Sequence, residues 1–296
     1  MSIRIGINPL TWTNDDMPEL GENIPLDDCL AEGKRAGYAG FELGHKFPRD
    51  PDVLARILAR YDLVLVSGWY GSRLLERSAD AEIAAIQSHL SLLRAMNCKV
   101  MVVAEVSNCI YIDRATPLSS RPHLDATGWE LLTSRLNELA DYSLQEGVQL
   151  AYHHHMGTVV QSAEDIDRLM DATDDALGLL IDTGHLVFAG EDPIATARQH
   201  GKRIVHVHCK DVRSDVLERV IGCDSSFLDA VLEGVFTVPG DGSVDYLSFA
   251  EELKKFNYEG WLVVEAEQDP AIADPFIFAV AGYKHLKDVV TTAGLA

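Results

Sequence analysis

The chain repeats one pattern about eight times, a short run rich in aliphatic and β-branched residues followed by a segment with helical periodicity. Most of the short runs are continuously apolar, which is typical of parallel strands that are covered by helices. The predicted strands are Ile3–Ile7, Gly40–Leu43, Leu63–Ser67, Val100–Val103, Gln149–His153, Leu179–Asp182, Ile204–His208 and Trp261–Glu265. About eight strand–helix units fit a closed barrel better than an open sheet. We therefore predict an α/β fold, a single (β/α)₈ TIM barrel that spans residues 1–296.

Helix signals separate the predicted strands. Gly37 and Gly147 each follow a helical pattern, at the position where glycine commonly ends a helix. The predicted helices are Leu26–Ala36, Asp52–Arg60, Ala79–Met96, Asp125–Glu146, a helix capped near Ser162, Val244–Phe256 and Pro275–Val290. Two connections after strands are unusually long, near residues 105–124 and 212–245. Because such connections lie over the C-terminal face, where barrel enzymes bind their substrates, we expect both to cover the site.

Four late strands end in side chains that bind metal ions. The segments are His153-His154-His155, Asp182-Thr-Gly-His185, His206-Val-His208 with Lys210, and Glu265-Ala-Glu267. Side chains alternate along a strand, so His153 and His155 share one face and His154 takes the other. Inward-facing imidazoles and carboxylates from adjacent strands predict a metal site. The mixture suits Mn²⁺, Co²⁺, Fe²⁺ or Zn²⁺, and its nitrogen ligands make Mg²⁺ less suitable.

Earlier strands add polar and aromatic residues at the same end of the barrel. Carboxylate and amide groups there bind hydroxyl groups, and tryptophan at a barrel mouth commonly stacks on the face of a sugar ring, although such residues are also ordinary packing groups. The predicted substrate-binding residues are Asn8, Trp12, Glu42, Trp69 and Glu105.

The charge of the chain limits its partners. It has 46 acidic and 25 basic residues, a formal net charge of −21. Such a surface repels phosphate backbones and anionic lipid, so we expect neither nucleic acid nor membrane partners. A small neutral polyol suits it better. Homo-oligomers are common among barrels of this type, but no interface signature is visible.

Motifs for other chemistries are missing from the sequence. There is no Walker loop, no GxGxxG and no GxSxG, and Gly240-Asp-Gly242 reads as a turn. The five cysteines form no CxxC pair, which favours reduced thiols and a cytoplasmic location. The first residues do not read as a signal peptide.

Several stretches resemble the inosose dehydratases, within the xylose-isomerase-like barrel superfamily. They are Gly6-Ile-Asn-Pro-Leu-Thr-Trp12, Tyr152-His-His-His-Met-Gly-Thr158, Leu180-Ile-Asp-Thr-Gly-His185, His206-Val-His-Cys-Lys-Asp211, the segment from Ser226 to Gly242, and Gly260-Trp-Leu-Val-Val-Glu-Ala-Glu-Gln-Asp-Pro270. The resemblance covers nearly the whole chain. The histidine triplet and the Phe-Thr-Val-Pro-Gly-Asp-Gly segment are its most specific parts.

This resemblance implies a metal-dependent lyase that eliminates water from 2-keto-myo-inositol (scyllo-inosose) in inositol catabolism and gives a trihydroxycyclohexane-dione. It implies Asp182, His208 and Glu265 as metal ligands. His153 stands where the superfamily usually has glutamate, so His153, His155 or a water molecule is the first ligand. We expect Mn²⁺ or Co²⁺ as the cofactor. The proton-transfer candidates are His153, His155, His185, Lys210 and Glu267.

Other functions remain open at this point. A metal-dependent ketose isomerase or epimerase of the same superfamily is the main alternative, although it usually needs two carboxylates for acid–base work. A 3-dehydroshikimate dehydratase would want a clearer basic cluster for its acidic substrate. A nuclease with this barrel conflicts with the charge of −21. A sugar-binding barrel without catalytic activity is the remaining class.

Overall fold

The computed structural model describes residues 3–295, so residues 1, 2 and 296 of the predicted domain lie outside it. Eight parallel strands close into a barrel in the order β1-β10-β7-β6-β5-β4-β3-β2. These strands are β1 (Arg4–Ile7), β2 (Gly40–Leu43), β3 (Val64–Ser72), β4 (Val100–Glu105), β5 (Gln149–His153), β6 (Leu177–Asp182), β7 (Ile204–Cys209) and β10 (Trp261–Val264). Two further strands, β8 (Asp211–Val212) and β9 (Phe236–Thr237), form a separate antiparallel pair. The predicted (β/α)₈ barrel is confirmed.

Helices follow the strands and pack around the barrel. They are α1 (Leu26–Ala36), α2 (Pro51–Arg60), α3 (Ala79–Ala95), α4 (Ala126–Gln145), α5 (Ala163–Asp171), α6 (Thr183–Phe188), α7 (Pro193–His200), α8 (Ser214–Gly222), α9 (Phe227–Leu232), α10 (Tyr246–Lys255) and α11 (Pro275–Ala293). Short 3-10 helices span Pro9–Thr11 and Leu118–Ser120. The capping box at Ser162 forms with Asp165, whose side chain accepts the Ser162 amide proton. Neither α4 nor α11, nor any shorter helix of the described chain, is long and apolar enough to cross a membrane.

Alternation along the strands separates the barrel interior from the helix-facing core. Val102, Ala151 and Leu180 form a small cluster of their own, apart from the main core that contains Val103 and Tyr152. The register between β6 and β7 shifts by one residue between Leu179 and Leu180. Because polar side chains follow the same alternation, residues at the strand ends turn toward the barrel mouth.

The long connection after β7 is structured, which the sequence analysis did not predict. It begins with β8, continues through α8 and α9, and returns in β9, which pairs with β8. The Asp211 carboxylate holds the turn after β9, because it accepts the amide protons of Gly240 and Val244. A Cβ atom at Gly242 would lie 2.3 Å from Asp211 Oδ1, so only glycine fits there.

This connection forms part of a second hydrophobic cluster, which we call the roof. Its buried side chains come from five separate segments and include Met17, Tyr111, Met156, Phe188 of α6, Phe227 and Phe236. Met17 belongs to the β1–α1 connection, Tyr111 to the β4–α4 connection and Met156 to the β5–α5 connection. The roof lies over the C-terminal ends of the strands, at the end where barrel enzymes bind substrate.

Candidate metal centre and active site

A pocket opens at the C-terminal ends of the barrel strands, beneath the roof. It is lined by Asn8, Leu10, Asp15, Asp16, Glu42, Leu43, Trp69, Val102, Tyr111, His153, His155, His208, Glu265 and Glu267. Its volume is about 80 Å³, well below the roughly 300–1,000 Å³ of ordinary small-molecule pockets. The pocket is therefore narrow in this structure.

Four buried side chains converge at the floor of the pocket. His153, Asp182, His208 and Glu265 each offer a ligand atom, and these atoms all lie within 4.8 Å of one another. His208 Nδ1 lies 3.1 Å from Glu265 Oε2 and 3.7 Å from Asp182 Oδ2. His153 Nε2 lies 3.5 Å from the same Asp182 oxygen. Two imidazoles and two carboxylates at this spacing fit a divalent metal ion.

The hydrogen bonds of these residues leave their inner atoms free for an ion. His153 Nδ1 lies 2.5 Å from the carbonyl oxygen of His154, so Nδ1 donates and the Nε2 lone pair faces the site. Asp182 Oδ1 caps α6 by accepting the amide proton of His185. Asp182 Oδ2 and both ring nitrogens of His208 are buried without a hydrogen-bond partner in the described chain. Buried polar atoms without partners are costly, and a cation would satisfy Asp182 Oδ2 and His208 Nδ1, which face the same cluster.

Asn8 and Glu42 hold the centre from the β1 and β2 side. The Asn8 amide donates to Glu265 Oε2 at 2.8 Å and to Glu42 Oε2 at 2.9 Å. Glu42 also lies 2.8 Å from His206 Nε2 and 3.1 Å from His208 Nε2. Burial alone would raise the pKa of Glu42, but His208 and His206 together outweigh it and lower the pKa. Glu42 is therefore an anion at neutral pH.

Lys210 neutralises the opposite side of the centre. Its ammonium group is fully buried and lies 2.6 Å from Glu265, 2.9 Å from Glu267 and 3.2 Å from His185 Nε2. Burial would lower its pKa, but the carboxylates of Glu265, Glu267 and Asp182 keep the pKa above its ordinary value. The lysine stem packs on Gly184, where a Cβ atom would lie 2.5 Å from Lys210 Cγ. The glycine of Asp-Thr-Gly-His is thus required for the position of Lys210.

His155 and His185 lie side by side next to the metal centre, in an apolar environment. Their rings are 4.0 Å apart, and both contact Phe227. Burial lowers the pKa of each imidazole well below the ordinary value, and neighbouring cationic groups add to this. His155 Nδ1 lies 2.8 Å from the carbonyl oxygen of Met156, so His155 is neutral with its Nε2 lone pair available.

The structure places most of the predicted site residues around one centre. Asn8, Glu42, Trp69, His153, His155, His208, Glu265 and Glu267 line the pocket, and Asp182, His185 and Lys210 are buried directly behind it. The Trp69 ring meets His153 and His155 edge-on, with centroids 5.4 and 5.7 Å away.

Two predicted substrate contacts lie elsewhere, which corrects the sequence analysis. Trp12 is fully buried between the barrel and α1, where its indole nitrogen donates to Glu32 at 2.7 Å and its ring packs on Phe41. Glu105 is buried on the helix-facing side of β4 and accepts hydrogen bonds from Ser72 and from the Leu74 amide. Neither side chain lines the pocket.

Two further residues of the pocket, Asp16 and Tyr111, are not among the site residues predicted from the sequence. Asp16 belongs to the β1–α1 connection, and burial followed by the charges of Glu267 and Asp15 raises its pKa to about 7. Tyr111 covers His155 at a ring separation of 4.6 Å. Both residues lie in connections without strand or helix periodicity, so the sequence does not predict which way their side chains face.

Comparison with known proteins agrees with the barrel fold. The family model described as xylose isomerase-like TIM barrel matches residues 30–287. The rhizopine catabolism protein MocC of Rhizobium meliloti is 52% identical over 99% of this chain and 90% of its own length. An inosose dehydratase of Geobacillus thermodenitrificans is 45% identical over 99% of this chain and 98% of its own.

A solved structure adds support for the fold. The IOLI protein with a bound zinc atom superposes with a TM-score of 0.68, and the match covers 98% of each chain. Its sequence identity is 17%, so the likeness concerns the fold alone. The barrel, the family match and the long alignments lead to one assignment. The chain belongs to the xylose isomerase-like TIM barrel family and, within it, to the inosose dehydratases.

Proposed function

We propose that this chain is a metal-dependent hydro-lyase that eliminates water from 2-keto-myo-inositol to give a trihydroxycyclohexane-dione in inositol catabolism. The observation that carries the proposal is a buried His-Asp-His-Glu cluster beneath a small polar pocket. The chain around it is 45% identical to an inosose dehydratase over almost its full length. A neutral cyclic polyol also suits a pocket whose lining, as far as residues 3–295 show, contains no arginine or lysine to bind a phosphate group.

The metal would be held by His153, Asp182, His208 and Glu265, and we propose Mn²⁺ or Co²⁺. A bound divalent ion would supply Lewis-acid stabilisation of the charge that develops on the ketone oxygen, worth several kcal/mol. The mixed nitrogen and oxygen ligand set is compatible with either ion. With His153 as the first ligand, His155 remains free for another role.

We assign removal of the α-proton to His155. His155 lines the pocket, and its Nδ1 proton is held by the Met156 carbonyl oxygen, which leaves Nε2 as the nitrogen that would accept a proton. Lys210 and Glu267 serve as a buried pair that orients Glu265 and His185. Asn8 and Glu42 have polar atoms at the pocket wall and would bind ring hydroxyls. Trp69 would pack against the ring.

The test is dehydration of 2-keto-myo-inositol by purified protein, followed by mass spectrometry for the loss of one water. Protein stripped with a chelator should lose the activity and regain it with Mn²⁺ or Co²⁺; Zn²⁺ is the third ion to compare. Full activity without metal would contradict the metal-dependent reading. Epimerisation of ketoses without loss of water would favour the isomerase or epimerase alternative.

The similarity to MocC widens the set of compounds to test. Because a relative at 52% identity is named for rhizopine catabolism, rhizopine belongs in the same assay as 2-keto-myo-inositol. Turnover of rhizopine in preference to the inosose would change the substrate and leave the site unchanged.

We also propose a cytoplasmic location. All five cysteines are unpaired thiols, and such thiols persist in reducing compartments. Measurement of activity in cell fractions tests this directly.

A further inference from the structure

The β1–α1 connection carries a carboxyl group into the pocket that no part of the mechanism above uses. Asp16 lines the pocket on the same cavity surface as His155 and Glu267. Its side chain is half-buried and has no hydrogen-bond or ion-pair partner within residues 3–295. The other acidic residues that line the pocket have partners in the described chain: Glu42 pairs with His206, Glu265 and Glu267 pair with Lys210, and Asp15 pairs with His45.

The loop holds Asp16 in a fixed position. The buried Asn14 side chain accepts the amide protons of Asp16 and Met17, each at 2.8 Å. Met17, the residue after Asp16, is buried in the roof. A hydrogen-bonded turn on one side and an apolar anchor on the other point the Asp16 carboxyl group into the pocket. A catalytic side chain needs support of this kind from its surroundings.

The electrostatic surroundings favour the protonated acid. Burial, Glu267, Asp15 and Glu265 raise the pKa of Asp16, and Lys210 opposes them, so that the pKa is about 7. Tyr111 and Cys109 face it from the β4–α4 connection. A carboxylic acid that is partly protonated near neutral pH has the ordinary requirement for a general acid.

We propose that Asp16 is the general acid that protonates the departing hydroxyl group, an inference that rests on the proposed dehydratase function. As His155 takes the α-proton, the electron pair of that C–H bond forms the new double bond and the β C–O bond breaks. The departing oxygen takes the proton of the Asp16 carboxyl group and leaves as water. Asp16 regains a proton from solvent, and His155 releases one, so the cycle consumes no other reactant.

The matched test compares two leaving groups. Asp16→Asn keeps the size of the side chain but has no acidic proton. On 2-keto-myo-inositol, we expect its kcat to fall by about 100-fold or more. An analogue with fluorine in place of the departing hydroxyl group releases fluoride, which needs no proton. On that analogue the loss should be less than about tenfold, because acid catalysis no longer contributes.

Controls separate this role from a structural one. Glu19→Gln, an exposed acidic residue in the same loop, should leave kcat unchanged on both compounds. Asp16→Asn should bind metal at the wild-type stoichiometry. The fall of kcat at high pH, which deprotonation of Asp16 causes in the wild type, should be absent from this variant. Equal losses on the two compounds, or wild-type kcat on both, would overturn the role of Asp16 alone. A wild-type protein that eliminates neither water from 2-keto-myo-inositol nor fluoride from the analogue would overturn the proposed function and this role together.

Discussion

Lys210 Nζ lies 2.6 Å from Glu265 Oε1, and both side chains are buried. One carboxylate of the metal centre is therefore also half of an internal ion pair. Removing one partner of such a pair leaves an uncompensated charge in a medium of low polarity, which is strongly destabilising.

Lys210→Met should lower the free energy of unfolding of the metal-free protein by about 3–5 kcal/mol. The loss should be smaller with metal bound, because the cation takes up part of the negative charge of Glu265. Denaturant titration with and without metal measures both values. The exposed Lys202→Met is the control and should change stability by less than about 0.5 kcal/mol. Equal effects of the two substitutions would contradict the ion-pair argument.

Asp182→Asn should weaken metal binding by more than about 100-fold, beyond the usual effect of removing a residue that only supports a ligand. Asparagine can still cap α6, since Oδ1 remains an acceptor for the His185 amide. Calorimetric titration with Mn²⁺ measures the affinity. Asp192→Asn makes the same change at the cap of α7, away from the centre, and should bind metal normally. Unchanged affinity in Asp182→Asn would exclude Asp182 as a ligand.

Metal affinity should fall as the pH falls. Burial would lower the pKa of His208, but Glu265 and Glu42 outweigh it and raise the pKa well above its ordinary value in the metal-free protein. A proton and a metal ion therefore compete for the same imidazole, and binding releases the proton. The affinity should change about tenfold per pH unit for each proton released. Calorimetry in buffers of different ionisation enthalpy counts the protons, and a count of zero would contradict this competition.

Asp16→Asn should stabilise the protein at alkaline pH. The folded state binds the Asp16 proton with a pKa of about 7, whereas an unfolded aspartate has a pKa of about 3.9. Stability contributed by this proton is present below about pH 4 and is lost as the pH rises to about 7. In thermal unfolding, Asp16→Asn should thus have a higher melting temperature than the wild type at about pH 8 and nearly the same melting temperature at about pH 4. Glu19→Gln should show no such divergence, and a pH-independent difference in Asp16→Asn would argue against the raised pKa.

The barrel and the metal cluster were predictable because both follow from strand periodicity. Predicted β2 and β5 have the observed bounds. The alternation rule that put His153 and His155 on one face also brought Asp182, His208 and Glu265 together. Parallel strands in a barrel converge at one end, so residues far apart in sequence needed no further information.

The remaining errors concern positions that lie outside the predicted strands and helices. Trp12 follows a short 3-10 helix that turns its indole ring away from the pocket and toward α1. Glu105 alternates to the helix-facing side of β4. The helices α8 and α9 have nine and six residues, too short for a clear pattern in a segment predicted as a loop. Asp16 depends on the hydrogen bonds of Asn14, which are visible only in three dimensions.

The roof is built from segments that meet mainly through apolar side chains above a pocket of about 80 Å³. A six-membered polyol needs more room, so we expect substrate entry and product release to part some of these contacts and to re-form them. In many enzymes such a gate, rather than the bond-breaking step, limits the rate. Comparison of steady-state turnover with a single turnover of pre-loaded enzyme would separate this gate from the bond-breaking step.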